Sequence, residues 1–133
     1  MINSGAFAYV DLLKSSADYS WTSNEIISSN IANVDTPNYK RQDVSFESVL
    51  THAIGKAKSS SHSLTEVVRN INYNHVAPTV YTDHSNLSYR LDGNNVDIEV
   101  EEVELASNQL YYQGVTDGIT QNFNRIKSAL QTN

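Results

Sequence analysis

The side chains best able to do chemistry in this 133-residue chain are four histidines, at 52, 62, 75 and 84, and three neighbouring carboxylates, Glu101, Glu102 and Glu104. Two imidazoles hold a metal when their spacing, as in a helical His-x-x-x-His pair, turns both toward one point. These four fall in no such spacing. Neither a Gly-rich phosphate loop nor a Gly-x-Ser-x-Gly elbow occurs, and cysteine is absent, which removes thiolate nucleophiles, thiolate metal sites and disulfides together. The three glutamates could supply an acid and a base, but a run of carboxylates at a helix start is usually a solvated face matched to the helix dipole. The expectation is no catalytic residue, no metal and no cofactor.

The net charge is -6, and the nine Lys and Arg residues are scattered apart from the pair Lys40-Arg41. A nucleic-acid surface needs clustered cations, so that partner class is not expected. No apolar run approaches the roughly 18 residues of a membrane span. The stretch before Lys14, the first basic residue, is interrupted by polar side chains, unlike a secretory leader. Such a chain reads as soluble and cytoplasmic, or as exported by a route that needs no cleaved leader.

What remains is the chemistry of recognition. Eight tyrosines stand against three phenylalanines, and a ring with a polar tip suits a half-exposed interface between subunits. The same rings would also serve between two helices of one subunit, with Tyr112 inside and Tyr111 outside.

Two long helices must position these groups. From Ala6 to Asn33 the residues Val10, Leu13, Ala17, Ser20, Asn24, Ile27, Ile31 and Val34 follow steps of three and four, a heptad seam. Phe7, Leu12, Trp21 and Ile26 flank it. Such a helix is about 40 Å long, and Pro37 ends it by lacking an N–H and biasing Thr36 away from helical angles. A second helix starts at Asp97 as cap, with seam Leu105, Asn108, Tyr112, Val115, Ile119, Asn122, Ile126 and Ala129, and with Val103, Leu110, Phe123 and Leu130 beside it. Gly114 and Gly118 each cost about 1 kcal/mol inside that helix. The seam amides Asn24, Asn108 and Asn122 either fix register as buried polar groups or face solvent on an imperfect stripe.

Between the helices, Val44 to Ala57 has weak helical spacing ending near Gly55, residues 59–63 are polar, and Leu64 to Arg69 and Thr79 to Leu91 alternate as short strands. Asp92-Gly93-Asn94-Asn95 is a turn signal. The expected fold is mainly α, an antiparallel coiled-coil-like hairpin of the N- and C-terminal helices with a small, loosely packed irregular or β insert. Its segments are 1–36, 37–95 and 96–133, the outer two forming one inner domain.

The stretch Ile27-Ser28-Ser29-Asn30-Ile31-Ala32-Asn33-Val34-Asp35-Thr36-Pro37-Asn38-Tyr39 resembles the signature of flagellar rod and hook proteins, with Val34 where Ala is usual and Asn38 where Gly is usual. Asn tolerates the left-handed conformation, so the turn after Pro37 can survive. Ser29, Asn30, Ile31, Ala32, Asn33, Asp35, Thr36, Pro37 and Tyr39 carry the match. Lys40 to Phe46, and Asp92 to Asp97 followed by Ala106, Asn108, Leu110, Tyr112, Gln113, Phe123, Ile126 and Leu130, are similar to the proximal-rod members.

The resemblance implies a structural subunit of the rod, the hollow shaft linking the MS ring to the distal rod and hook, exported without a cleaved signal. Implied partners are further copies of the chain, FlgC and the distal rod proteins, FliE, the MS ring and the export gate. FlgC itself, or a coiled-coil adaptor or export chaperone, is the competing identity; the sibling FlgC usually has Arg-Ala-Tyr or Arg-Ser-Tyr where this chain has Gln109-Leu110-Tyr111-Tyr112-Gln113. The expected helix-pairing and assembly residues are Val10, Leu13, Trp21, Ile27, Ile31, Leu105, Asn108, Leu110, Tyr112, Ile119, Phe123 and Ile126. Phe46 to Leu50 is either an amphipathic turn packing on the rod core or an export-recognition element.

Overall fold

The computed structural model describes residues 5–58, 63–84 and 90–131. Two long helices, α1 (Gly5–Ala32) and α4 (Ile98–Gln131), lie antiparallel, with Asn30 beside Glu101, Ser20 beside Asn108 and Leu13 beside Gly118. Between them come β1 (Gln42–Ser45), α2 (Glu47–Lys58), α3 (Leu64–Asn70), a 3-10 turn (Tyr73–His75) and β2 (Thr79–Thr82). The two strands pair antiparallel, Gln42 opposite Thr82 and Ser45 opposite Thr79. This is the mainly α hairpin with a small middle insert that the seams imply.

Local chemistry sets the boundaries. Asp97 caps α4, its Oδ1 accepting from the backbone N–H of Glu99 at 3.0 Å and of Val100 at 3.4 Å. Past α1, Asn38 adopts φ +60 in the position where the signature normally has glycine. The insert departs from expectation in three places. Leu64 to Asn70 is a helix, not a strand, because Ser63 Oγ accepts from the Glu66 N–H and starts a capped turn. Val44 belongs to β1, and the helix that follows begins at Glu47 and runs past Gly55 to Lys58. In Thr79 to Leu91 the strand stops at Thr82; residues 85–89, like 59–62 with His62, lie outside the described residues.

The insert is also better packed than its composition implies. Phe46, Ala57, Val67, Ile71 and Val76 bury together, with Leu50, Ala53, Tyr73 and Tyr19 of α1 against them. The Phe46 ring stacks on Tyr19 at 4.8 Å. Burial pushes the Tyr73 hydroxyl up to about 12, and the nearby Asp11 and Tyr9 add to the shift. The hairpin interface is different in kind, since Ser16, Ser20, Ser23, Asn30 and Asn108 are buried along it and few large apolar groups join them. In α1 the buried residues are Ala8, Ser15, Ser16, Ser20, Ser23, Ile27 and Asn30, while Val10, Leu13, Ala17, Asn24, Ile31 and Val34 of the expected seam are half-buried. The reason is that α1 is covered on two sides, by α4 and by the insert, and a single-stripe reading allows for one partner.

Two measurements check this division. Phe46→Ala should lower unfolding free energy in urea by about 3–5 kcal/mol, as large-to-small changes in packed cores do. Gly114, whose added Cβ would meet nothing within 4 Å, should stabilise on replacement by Ala, by about 0.5–1 kcal/mol.

Candidate assembly site

The signature lies where α1 leaves the hairpin, and Asn30 is its deepest member, with no exposed surface. An amide side chain has two N–H donors and two acceptor lone pairs, and Asn30 uses all four. Its Nδ2 donates to Gln42 O at 2.8 Å and to Glu101 Oε2 at 3.0 Å. Its Oδ1 accepts from the Gln42 N–H at 2.9 Å and from the Tyr39 hydroxyl at 3.2 Å. Asn30 therefore acts as a short extra strand for β1 and ties it to α4.

Glu101 is equally buried, which corrects the expectation that the glutamate run is a solvated face; Glu102 remains exposed, and Glu104 is partly so. A carboxylate without water needs a countercharge and bonds to both oxygens. Arg41 supplies the charge, donating from Nε to Glu101 Oε1, from one terminal nitrogen to Glu104 at 2.7 Å and from the other to Asp43 at 2.9 Å. Burial works against the guanidinium charge, but bonds to Asp43 and Glu101 and the negative field of Glu101 and Glu104 outweigh it, so Arg41 is held above its ordinary range. Its backbone N–H donates to Asn95 Oδ1 at 2.6 Å, and Asn95 donates on to Asp83 O.

The turn on the opposite strap closes the arrangement. Asn94, fully buried, donates from Nδ2 to the carbonyls of Asn33, Val34 and Thr36, at 2.9, 3.0 and 2.9 Å. Arg90 donates to Val34 O at 2.7 Å and to Asp92, and the Asn38 N–H reaches Asp92 O at 2.8 Å. Gly93 has φ +75, and an added Cβ would stand 2.9 Å from Asn38 Oδ1, so no other residue fits without movement. The hydrogen bond from Arg90 and that from the Asn94 backbone hold the Asp92 carboxyl below its usual range.

Of the remaining signature residues, Ser29 lends its carbonyl to Asn33, the Thr36 hydroxyl donates to Asn33, and Ile31 is half-buried. Ala32, Asp35 and Pro37 are exposed. Among the expected pairing residues, Ile27 and Asn108 are buried, and Asn108 bonds Ser20 and Asn24 across the hairpin, as a register-setting amide does. Asn122 instead donates to its own helix at Gly118 O. Val10, Leu13, Ile31, Leu105, Tyr112, Ile119 and Ile126 are half-buried, whereas Trp21, Leu110 and Phe123 are 59%, 71% and 50% exposed. Arg41, Glu101 and Asn94 were not legible as a site. Their traces in the sequence are separate: the lone basic pair Lys40-Arg41, the glutamate run and the Asp92-to-Asn95 turn, with nothing that joins them.

Removing Arg41 strands a buried carboxylate, so Arg41→Ala should cost about 3–5 kcal/mol. Asn30→Asp, which sets a second carboxylate against Glu101, should be comparably severe. Urea titrations at a protein concentration where helical circular dichroism has reached its plateau read both. A depressed Asp92 stabilises the fold at neutral pH and loses that contribution as pH falls through its folded-state value, on the acid side of the ordinary carboxylate range. Asp92→Asn should flatten that part of the stability–pH curve.

Residues 24–40 match the family model described as flagella basal body rod protein. The FlgB flagellar basal body rod protein of Bacillus subtilis (strain 168) is 36% identical over 109 residues, covering 80% of each chain. That of Borreliella burgdorferi is 38% identical over 114 residues, 80% of this chain and 83% of the relative. That of Borrelia hermsii is 33% identical over 129 residues, 92% and 95%. The matched segment runs from the last turns of α1 through the Asn30 clip to Lys40, and similarity of this extent takes in both arms of the hairpin: the chain belongs to the FlgB family of flagellar basal body rod proteins.

Proposed function

We propose that the chain acts as a structural subunit of the flagellar basal body rod, assembling with other rod components and performing no catalysis. The observation that carries this reading is a set of large apolar side chains left uncovered on both arms of the hairpin. Trp21 is 59% exposed on α1, and Val103 and Leu110 are 67% and 71% exposed on α4. Uncovered groups of this size mark surfaces that other proteins cover. Among the described residues no helix is long and apolar enough to cross a membrane, and no cluster of His, Cys, Asp and Glu could hold a metal.

In this reading segments 1–36 and 96–133 form the inner helical domain of the shaft, and 37–95 is the outward insert. Neighbouring subunits complete a core that the hairpin alone leaves thin, so folding of the arms is coupled to assembly. Further copies, FlgC, the distal rod proteins, FliE, the MS ring and the export gate are the partners that the proximal position entails. Localisation to the basal body follows from that position. Phe46 serves the packing of the insert, since its ring is 5% exposed.

Deleting the gene should abolish rod and hook while leaving the MS ring; complete hooks in that strain would defeat the proposal. Trp21→Glu and Leu110→Glu, which disturb little inside the subunit, should leave the unfolding free energy in urea within about 0.5 kcal/mol of the parent and abolish motility. Helical circular dichroism of the dilute purified protein should rise with concentration, and a concentration-independent cooperative melt of a monomer would count against coupled folding.

A further inference from the structure

Beside the Arg41 cluster a groove of about 870 Å3 runs between the two arms and the start of the insert. Leu50, Tyr81, Val103 and Tyr111 contribute its accessible apolar lining, Asp43, Glu47 and Glu104 its charge, and among the described residues no Lys, Arg or His lines it. The guanidinium of Arg41 beside it is shared among three carboxylates, Asp43, Glu101 and Glu104. The groove therefore keeps a negative rim even with Arg41 counted.

The complement lies at the far end of α4. From Gly118 to Gln131 this helix contains Arg125 and Lys127 and no carboxylate side chain. Phe123 and Leu130 are 50% and 64% exposed, and neither cation has an ion pair among the described residues. Phe123, Lys127 and Leu130 fall at i, i+4 and i+7, the spacing with which an amphipathic helix enters a groove. Glu104 and Lys127 stand about 35 Å apart along one helix at roughly 1.5 Å per residue. One chain cannot fill its own groove.

We propose that the tip of α4 from one copy docks in the acid-rimmed groove of a second copy. Phe123 and Leu130 meet the apolar lining, and Lys127, on the same face of the helix, meets Asp43, Glu47 and Glu104, while Arg125 on the opposite side adds to the positive charge of the tip. The contact joins two different surfaces, so repeating it generates a ring or a helical array rather than a closed dimer. This rests on the reading of the chain as a rod subunit and adds to it the two surfaces that meet.

The chain has no cysteine, so single-cysteine variants report contacts without ambiguity. Full-length Leu130→Cys and Ser48→Cys proteins are mixed at the highest soluble concentration and oxidised. The mixture should give a disulfide dimer about tenfold above either variant alone, a factor equal to roughly 1.4 kcal/mol. It should exceed by a similar margin a control mixture of Thr120→Cys with Ser48→Cys. Adding Glu47→Lys to the groove variant should remove the excess, and Lys127→Glu on the other partner should restore it. No excess over the control overturns the proposal, as does equal linking of Leu130→Cys with itself. Normal rods and hooks from a strain whose only copy carries Lys127→Glu would also overturn the docking while leaving the rod assignment intact. Loss of rods on gene deletion bears on that assignment alone.

Discussion

Glu101 has no contact with water, and a carboxylate so placed must find its hydrogen bonds and its countercharge inside the protein. It finds them on two segments distant in sequence, the Asn30 amide near the end of α1 and the Arg41 guanidinium at the entry to β1. Meeting both at once allows one rotation of α4 against α1 and one exit path for the chain after Pro37. A buried ion pair contributes little net stability over an apolar replacement, but breaking it is costly. Its value here lies in register. Sliding either helix by a turn would leave Glu101, Asn30 and the Gln42 backbone unpaired together.

The rest of the hairpin depends on that anchor because it has little else. Serines and asparagines occupy the buried line between the helices, and the Asn108 amide, bonded to Ser20 and Asn24, is a second register mark farther along. Small side chains let the backbones approach but bury little apolar area, and burial supplies most of the favourable energy of folding. The larger apolar cluster sits between α1 and the insert. Stability is therefore uneven, greatest where β1, Asn30 and the turn of Asn94 converge and least toward the start of α1 and the end of α4. A subunit built this way keeps its geometry at the clasp and leaves its tips free to meet neighbours.

The signature acquires a physical meaning from these bonds. Asn30 and Tyr39 are chemically required, the first because an amide can serve Gln42 and Glu101 simultaneously, the second because its hydroxyl fills the remaining lone pair. Asn33 closes the helix end on Ser29, and its carbonyl, with those of Val34 and Thr36, receives the Asn94 amide. Asp35 and Pro37 are exposed, and Pro37 acts through its restricted backbone.

By itself the sequence determined the two long helices, the end of the first ahead of Pro37 and the start of the second at Asp97, the left-handed position at Asn38, and the family. Each of these is written in local spacing or in side chains that act on their own backbone. It also contained the cap of α3 in Ser63-Leu64-Thr65-Glu66, although the alternation of Leu64 to Arg69 looks equally like a strand over so short a run. Only the tertiary structure decided that α1 is covered on two sides, that β1 pairs with β2, and that the buried charge is Glu101 and neither Glu102 nor Glu104. Three glutamates at one helix start are alike in local pattern. What distinguishes them is a guanidinium sixty positions away along the chain, and proximity of that kind exists only after the chain has folded.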